Sequence, residues 1–318
     1  MGKNIKKKIL ISGLGGSLFP FLHNILKIKY DLFYVDNDTF LKDLYKNLNL
    51  YISPLASSKD YIKFIKKIIL KHKIDFFIPL IDEEIISVKS EIEGYNELKI
   101  ISPDLDFCFL ALNKYSLMKT LEKEKISIIK SFKANNFKWQ ITPPIFVKPI
   151  IGRGSRGVKK LKNNESLNAY INLNFLDPKE ILIQEYLSGI EYTIGVTVNN
   201  LNHILSISIK RIIRKKGITI IAVTEKNQEI SDLVKKVVQK LAPKGPINIQ
   251  LFRTKNNEFK IFEINPRFST TTIMSYACGI DEISLYIDFF DKKFQGEPIQ
   301  PKEGKILHRR WENIFYEK

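Results

Sequence analysis

Two clusters in the chain carry residue types suited to phosphate chemistry. The first lies in FVKPIIGRGSRGVKKL, residues 146–161, where Gly152, Gly154 and Gly157 keep G-x-G-x-x-G spacing around Arg153, Ser155 and Arg156, with Lys148 ahead of them. A dinucleotide-binding turn needs a helix directly after its glycines, so that the helix N-terminus meets the pyrophosphate. Here VKKL follows, a short strand and then a turn. A P-loop would also need a G-K-[ST] ending, which is missing. The segment reads as strand, glycine loop, strand: a hairpin whose tip can fold over an anion. Alone, it would serve equally as a flexible surface turn.

The second cluster is INIQLFRTKNNEFKIFEINPRFS, residues 247–269. Two alternating strands flank KNNE, and Asn256-Asn257 suits a two-residue turn because Asn tolerates positive φ. That turn sets Lys255 opposite Glu258 and Gln250 directly across from Glu263. Glu263, Asn265 and Arg267 then share one face with Gln250 and Asn248, while Ile249, Leu251, Phe262 and Ile264 point into a core. A carboxylate beside amide oxygens is a hard-oxygen set that suits Mg²⁺, with phosphates and water completing the shell. Arg267 beside it could hold a phosphoryl group. A merely solvated polar face is the plain alternative, and a three- or four-residue loop would shift the pairing.

The elements that position these clusters divide the chain by texture. Over the first hundred residues KKILISG, DLFYVD, IDFFIPL and LKIISP read as strands, and KDYIKFIKKIILKHK and DEEIISVKSEIE as helices. This β-α-β rhythm predicts an α/β unit, a Rossmann-like parallel sheet covered by helices on both faces. SGLGGS at 12–17 follows a strand and opens a helix, so it could seat a phosphate, with Asp36 or Asp38 as a ribose ligand. Its three-glycine spacing is incomplete. Past residue 105, NKYSLMKTLEKEK predicts a helix capped by Asn113. Strands then dominate with helices such as ISDLVKKVVQKLA between them, an α+β second half.

At 318 residues the chain has room for two or three compact units. Its 51 Lys and Arg against 34 Asp and Glu give +17, but the lysines are spread along the whole length beside abundant Ile and Asn. A solvated basic surface explains that charge better than a nucleic-acid partner. Cys108 and Cys278 form no C-x-x-C pair, the four histidines are scattered, and a reducing cytoplasm is the expected compartment. The N-terminal basic and apolar run has the outline of an export leader. Gly13, Gly15, Gly16 and Pro20 inside it favour a buried strand turning into a helix. No apolar stretch is long enough to span a membrane.

Taken together, these segments resemble the ATP-grasp superfamily, and within it the carbamoyl-phosphate-synthetase-like carboxylate–amine ligases. The resemblance covers nearly the whole chain and includes a leading pre-ATP-grasp domain. NKYSL resembles the family's D-[KR] element, with Asn113 in place of the usual Asp. This implies that Lys114 reaches the ATP phosphates. FVKPIIGRGSRGV resembles the V-[KR]-P-x-x-G-x-G-S-x-G loop, which implies phosphate binding by Lys148, Gly152, Gly154, Ser155 and Gly157. QEYLSGIEYTIGV resembles the adenine linker, with Glu185, Tyr186 and Leu187 lining the base and Glu191 accepting from the ribose. INIQLF and FEINPR resemble the metal elements, giving Gln250, Glu263 and Asn265 as ligands and Arg267 as a phosphate contact. Gln250 stands where many such enzymes carry an acid.

The resemblance further implies a division into residues 1–105, a small subdomain at 106–188 and a large subdomain at 189–318. It implies ATP with Mg²⁺, or Mn²⁺ in its place, and small-molecule carboxylate and amine substrates. Homodimers are common among such enzymes. Lys148, Arg267 and Arg211 are the expected catalytic residues, Arg211 through substrate or phosphate, and Arg310 is expected to be structural. The implied reaction forms an acyl phosphate, releases ADP and passes the acyl group to an amine. A phosphotransferase on the same fold, a basic binding module and an oxidoreductase using SGLGGS are the competing readings.

Overall fold

The computed structural model describes residues 6–16, 18–152, 154, 157–174, 176–310 and 313–316. The first hundred residues build a five-stranded parallel sheet of β1 (Lys8–Ser12), β2 (Asp31–Asp36), β3 (Leu50–Ile52), β4 (Phe76–Ile78) and β5 (Lys99–Ile100). Its order is β3-β2-β1-β4-β5. The connecting helices are α1 (Phe19–Leu26), α2 (Phe40–Leu44), α3 (Tyr61–His72) and α4 (Asp82–Ile92). The apolar run of β1 is explained by double burial: Ile9 and Ile11 pack towards α1, Leu10 towards α3.

The SGLGGS turn takes an anion from the chain itself. Gly13 has φ of 75°, and the Gly15 amide donates to Asp36 Oδ2 at 2.9 Å. Asp36 thus takes up the amide that would have met a phosphate. Ser17 lies outside the described residues.

Helices α5 (Leu105–Leu112) and α6 (Lys114–Lys123) follow, and Asn113 caps α6 as its sequence predicts, accepting from Ser116 N at 3.0 Å. A four-stranded antiparallel sheet comes next, of β6 (Ser131–Lys133), β7 (Ile145–Pro149), β8 (Lys159–Leu161) and β9 (Ile181–Glu185), in the order β6-β9-β7-β8 with α7 (Asn164–Leu173) beside it. This small sheet has its own core of Ile145, Val147, Leu167, Tyr170, Ile181 and Ile183.

The six-stranded sheet is the largest body. It holds β10 (Gly189–Val198), β11 (Ile204–Lys216), β12 (Ile218–Thr224), β13 (Ile247–Thr254), β14 (Phe259–Asn265) and β15 (Ile306–His308), in the order β14-β13-β10-β11-β12-β15. On one face, Tyr192, Ile194, Ile209 and Ile249 pack against α5, α6 and α8 (Gln228–Leu241). The other face carries the short helices α9 (Thr272–Ala277) and α10 (Glu282–Asp288) at one end and an open cleft at the other.

The first unit is fused to this body. Ile283, Tyr286 and Ile287 of α10 share a core with Ile9, Leu22 and Tyr34. Gly245 sits so close to the 102–103 backbone that an added Cβ would lie 2.3 Å from Pro103 N. Among the described residues no helix is long and apolar enough to cross a membrane. Cys108 and Cys278 are free and buried.

Candidate functional site

The cleft lies between the small sheet and the six-stranded sheet, and it collects most of the residues singled out from the sequence. Lys114, Lys148, Gly152, Gly154, Glu185, Leu187, Glu191, Gln250, Glu263, Asn265 and Arg267 all line it.

The glycine segment forms the expected hairpin. β7 pairs antiparallel with β8, Val147 opposite Lys159 and Ile145 opposite Leu161. Gly152, Gly154 and Gly157 all have positive φ, which L side chains seldom adopt. Gly157 has the least room: a Cβ there would meet Pro149 Cδ at 3.0 Å, while its carbonyl accepts from Tyr170 OH at 2.7 Å. Ser155, with Arg153 and Arg156, lies outside the described residues. Lys114 Nζ donates to the Gly152 carbonyl, so this ammonium already holds the base of the hairpin.

Gln250 stands opposite Glu263 and Asn248 opposite Asn265, the predicted pairs, but by a different route. The turn has three residues rather than two, Lys255 to Asn257, closed by Thr254 N donating to the Glu258 carbonyl at 2.9 Å. Asn257 takes the left-handed position, φ 62°. This pairs Arg253 with Phe259 and Leu251 with Ile261, one residue out of the predicted register. A β-bulge at Phe262 then restores it. The bulge corrects the place of Phe262 itself: Ile261 enters the core, and Phe262 turns to line the cleft with Phe252.

Gln250, Glu263 and Asn265 offer one carboxylate and two amide oxygens on one face. Among the described residues no three His, Cys, Asp or Glu side chains cluster to cage a metal. The set therefore fits a hard cation that keeps water and substrate oxygens in its shell. Two lysines bring positive charge to the same place. Lys148 Nζ lies 3.7 Å from Glu263 Oε2, and Lys215 Nζ is 2.5 Å from Glu191 Oε1 and 3.4 Å from Gln250 Oε1. Burial, joined by the neighbouring Lys114 and Lys215, pushes the Lys148 pKa down to about 8 against the pull of Glu263.

An apolar slot adjoins the charged end, walled by Ile129, Phe146, Val158, Leu187, Phe252 and Phe262. Glu185 lines it, its carboxylate accepting from Lys130 N at 3.0 Å. Tyr186 does not join the lining. Its ring packs 5.3 Å from Phe146 with the Lys160 ammonium 3.8 Å over its face, so Phe146 walls the slot instead.

Arg211 is not brought to the cleft. It sits across from buried Tyr192, on the opposite face of the sheet, and its Nε is paired with Glu225. Irregular pairing on either side of Arg214 re-aims the strand beyond, and Lys215 reaches the cleft instead. The sequence signal for Lys215 was submerged in the basic run RIIRKKG, which reads as solvated surface. Beside Arg211, Lys210 faces the cleft side but is fully buried. Its Nζ is 3.6 Å from Glu282 Oε1, and burial lowers its pKa. Arg267 lines the cleft and is bound through Nε to Asp82 of α4 at 2.5 Å.

Comparison with known proteins agrees with this geometry. Residues 177–312 match a family model described as "ATP-grasp in the biosynthetic pathway with Ter operon". The D-alanine–D-alanine ligase of Bacteroides fragilis is 24% identical over 170 residues, 48% of this chain and 52% of that ligase, so the match spans about half the relative's length. The fold is similar to that of an L-amino acid ligase from Bacillus licheniformis (TM-score 0.70, 16% identity, 91% of this chain and 75% of that one). It is also similar to a biotin carboxylase–β,γ-ATP complex from Campylobacter jejuni (TM-score 0.75, 17% identity, 94% and 74%). A parallel-sheet unit followed by two sheets that face each other across a lysine-lined cleft is the ATP-grasp arrangement. The chain thus has the ATP-grasp fold, and its residues 177–312 match an ATP-grasp family model.

Proposed function

We propose that the protein is an ATP-dependent carboxylate–amine ligase. The observation that carries this is the convergence of Lys114, Lys148, Lys215 and Arg267 with Gln250, Glu263 and Asn265 beside one apolar slot under the glycine hairpin. The slot takes the adenine, and Glu191 is placed for the ribose. Lys114 and Lys148 hold the phosphates, and Lys215 and Arg267 surround the γ-phosphoryl group. Gln250, Glu263 and Asn265 would hold Mg²⁺, which when bound neutralises phosphate charge. We divide the chain at 105 and 188, with α5 and α6 serving as the outer layer of the large unit.

The work of these side chains is positioning and charge neutralisation. A substrate carboxylate oxygen attacks the γ-phosphorus, the bond to the bridging oxygen breaks, and ADP leaves. The amine nitrogen then attacks the acyl carbon, phosphate departs, and the amine proton is released to solvent. The hairpin above the cleft shields the acyl phosphate from water.

Mg·ATP should raise the unfolding temperature whereas NAD(P) should not. ADP release, screened over pooled carboxylates and amines, should need one of each. AMP as the product, or protection by NAD(P) alone, would overturn the reading.

A further inference from the structure

We infer that Asp82, the first residue of α4 in the parallel-sheet unit, is a positioning residue that aims Arg267 at the γ-phosphoryl group. This rests on the ligase reading above. The two residues are 185 positions apart and belong to different sheets' units, yet Nε and Oδ1 are 2.5 Å apart with side chains only 15% and 11% exposed. With Nε engaged by Asp82, the outer guanidinium nitrogens remain for an anion, one of them reaching the Phe268 carbonyl only at 3.4 Å. A nearly desolvated pair of this kind resists rotation, because either partner alone would be a buried charge.

The support behind Asp82 is unusually complete. The same helical turn carries Glu84, fully buried, whose carboxylate accepts from the Ile81 amide at 3.3 Å and from the Ser12 and Tyr61 hydroxyls. Ser12 Oγ in turn accepts from the Leu80 amide at 2.9 Å. The two residues before Asp82 are thus fixed to β1 and α3, and Ile81 packs against Gly13, whose missing Cβ would lie 3.4 Å from it. The parallel-sheet unit, none of whose described residues lines the cleft, therefore acts on it through Arg267.

The test measures Mg·ADP binding with and without aluminium fluoride, a mimic of the transferring phosphoryl group, for the wild-type chain and for Asp82→Ala, Asp82→Asn and Asp82→Glu. All should bind Mg·ADP within about twofold of one another, since Lys114 and Lys148 are untouched. Fluoride should tighten wild-type binding, Ala and Asn should lose at least about tenfold of that tightening, and Glu should restore part of it. Wild-type tightening in Asp82→Ala would overturn the proposal, as would no tightening in the wild type. A parallel fall in Mg·ADP affinity would make Asp82 merely structural and also overturn it. Failure of the wild-type chain to bind Mg·ADP at all would instead remove the nucleotide reading, and this proposal with it.

Discussion

At the scale of single residues, burial holds the Lys148 ammonium near a pKa of about 8, from an ordinary 10.5. Bound phosphate favours the charged form, so the pKa rises in the complex. Nucleotide affinity is therefore flat below pH about 8 and falls above it, by up to about tenfold per pH unit, until the pKa of the complex is reached. Calorimetric titrations from pH 6.5 to 9.5 should show this, with proton uptake on binding, and Lys148→Met should abolish the slope. For stability the sign is opposite. The unfolded chain binds the extra proton between about pH 8 and 10.5, so Lys148 destabilises the free protein fully below about 8 and progressively less above it. Glu263 is the one carboxylate of the proposed metal set. Glu263→Gln should raise the Mg²⁺ concentration needed for ADP binding by about tenfold or more, as read from Mg²⁺ titration at fixed nucleotide.

At the scale of elements, the β13–β14 hairpin shows how far sequence reasoning reaches. That Gln250 and Glu263 share the polar face was legible from alternation, since one buried face fixes which residues point outward, whereas their direct opposition rested on a two-residue turn. The turn and the bulge were not legible. Asn257 at positive φ extends the loop by one residue, the bulge at Phe262 absorbs the offset, and two misreadings cancel at the site. They do not cancel for Phe262, which alternation sends into the core and the bulge brings to the cleft. The same physics hid Lys215 and misplaced Arg211: strand parity cannot see irregular pairing, which depends on the partner strand. The parallel sheet was easier, because its strands are apolar on both faces and need no register. Phe262→Ala should leave folding cooperative, because Ile261 keeps the core, while weakening nucleotide binding by about 1–3 kcal/mol if the ring stacks on the base. Gly157→Ala should lower the unfolding free energy by about 1–3 kcal/mol, measured by denaturant titration, because a φ of 69° strains an L side chain and the methyl group would press on Pro149.

At the scale of the whole molecule, the +17 charge acts as a field. Lys114, Lys148 and Lys215 line the cleft, so nucleotide association should slow with rising ionic strength while dissociation changes little, a difference that stopped-flow kinetics resolves. The bodies around the cleft are joined unequally. Parallel-sheet unit and six-stranded sheet share a core, carry the Lys29–Asp281, Lys99–Asp291 and Arg267–Asp82 ion pairs between them, and touch at Gly245. The small sheet keeps a separate core and meets the large one through residues 127–129, bonded to Ile261 on both sides, and through the Lys148–Glu263 and Glu185–Lys260 ion pairs. With no room at Gly245 for even a methyl group, the backbones on the two sides of that seam are in direct contact. The two bodies so joined form one continuous plate beneath the cleft, and a swing of the small sheet against it is the movement that breaks the fewest of these contacts.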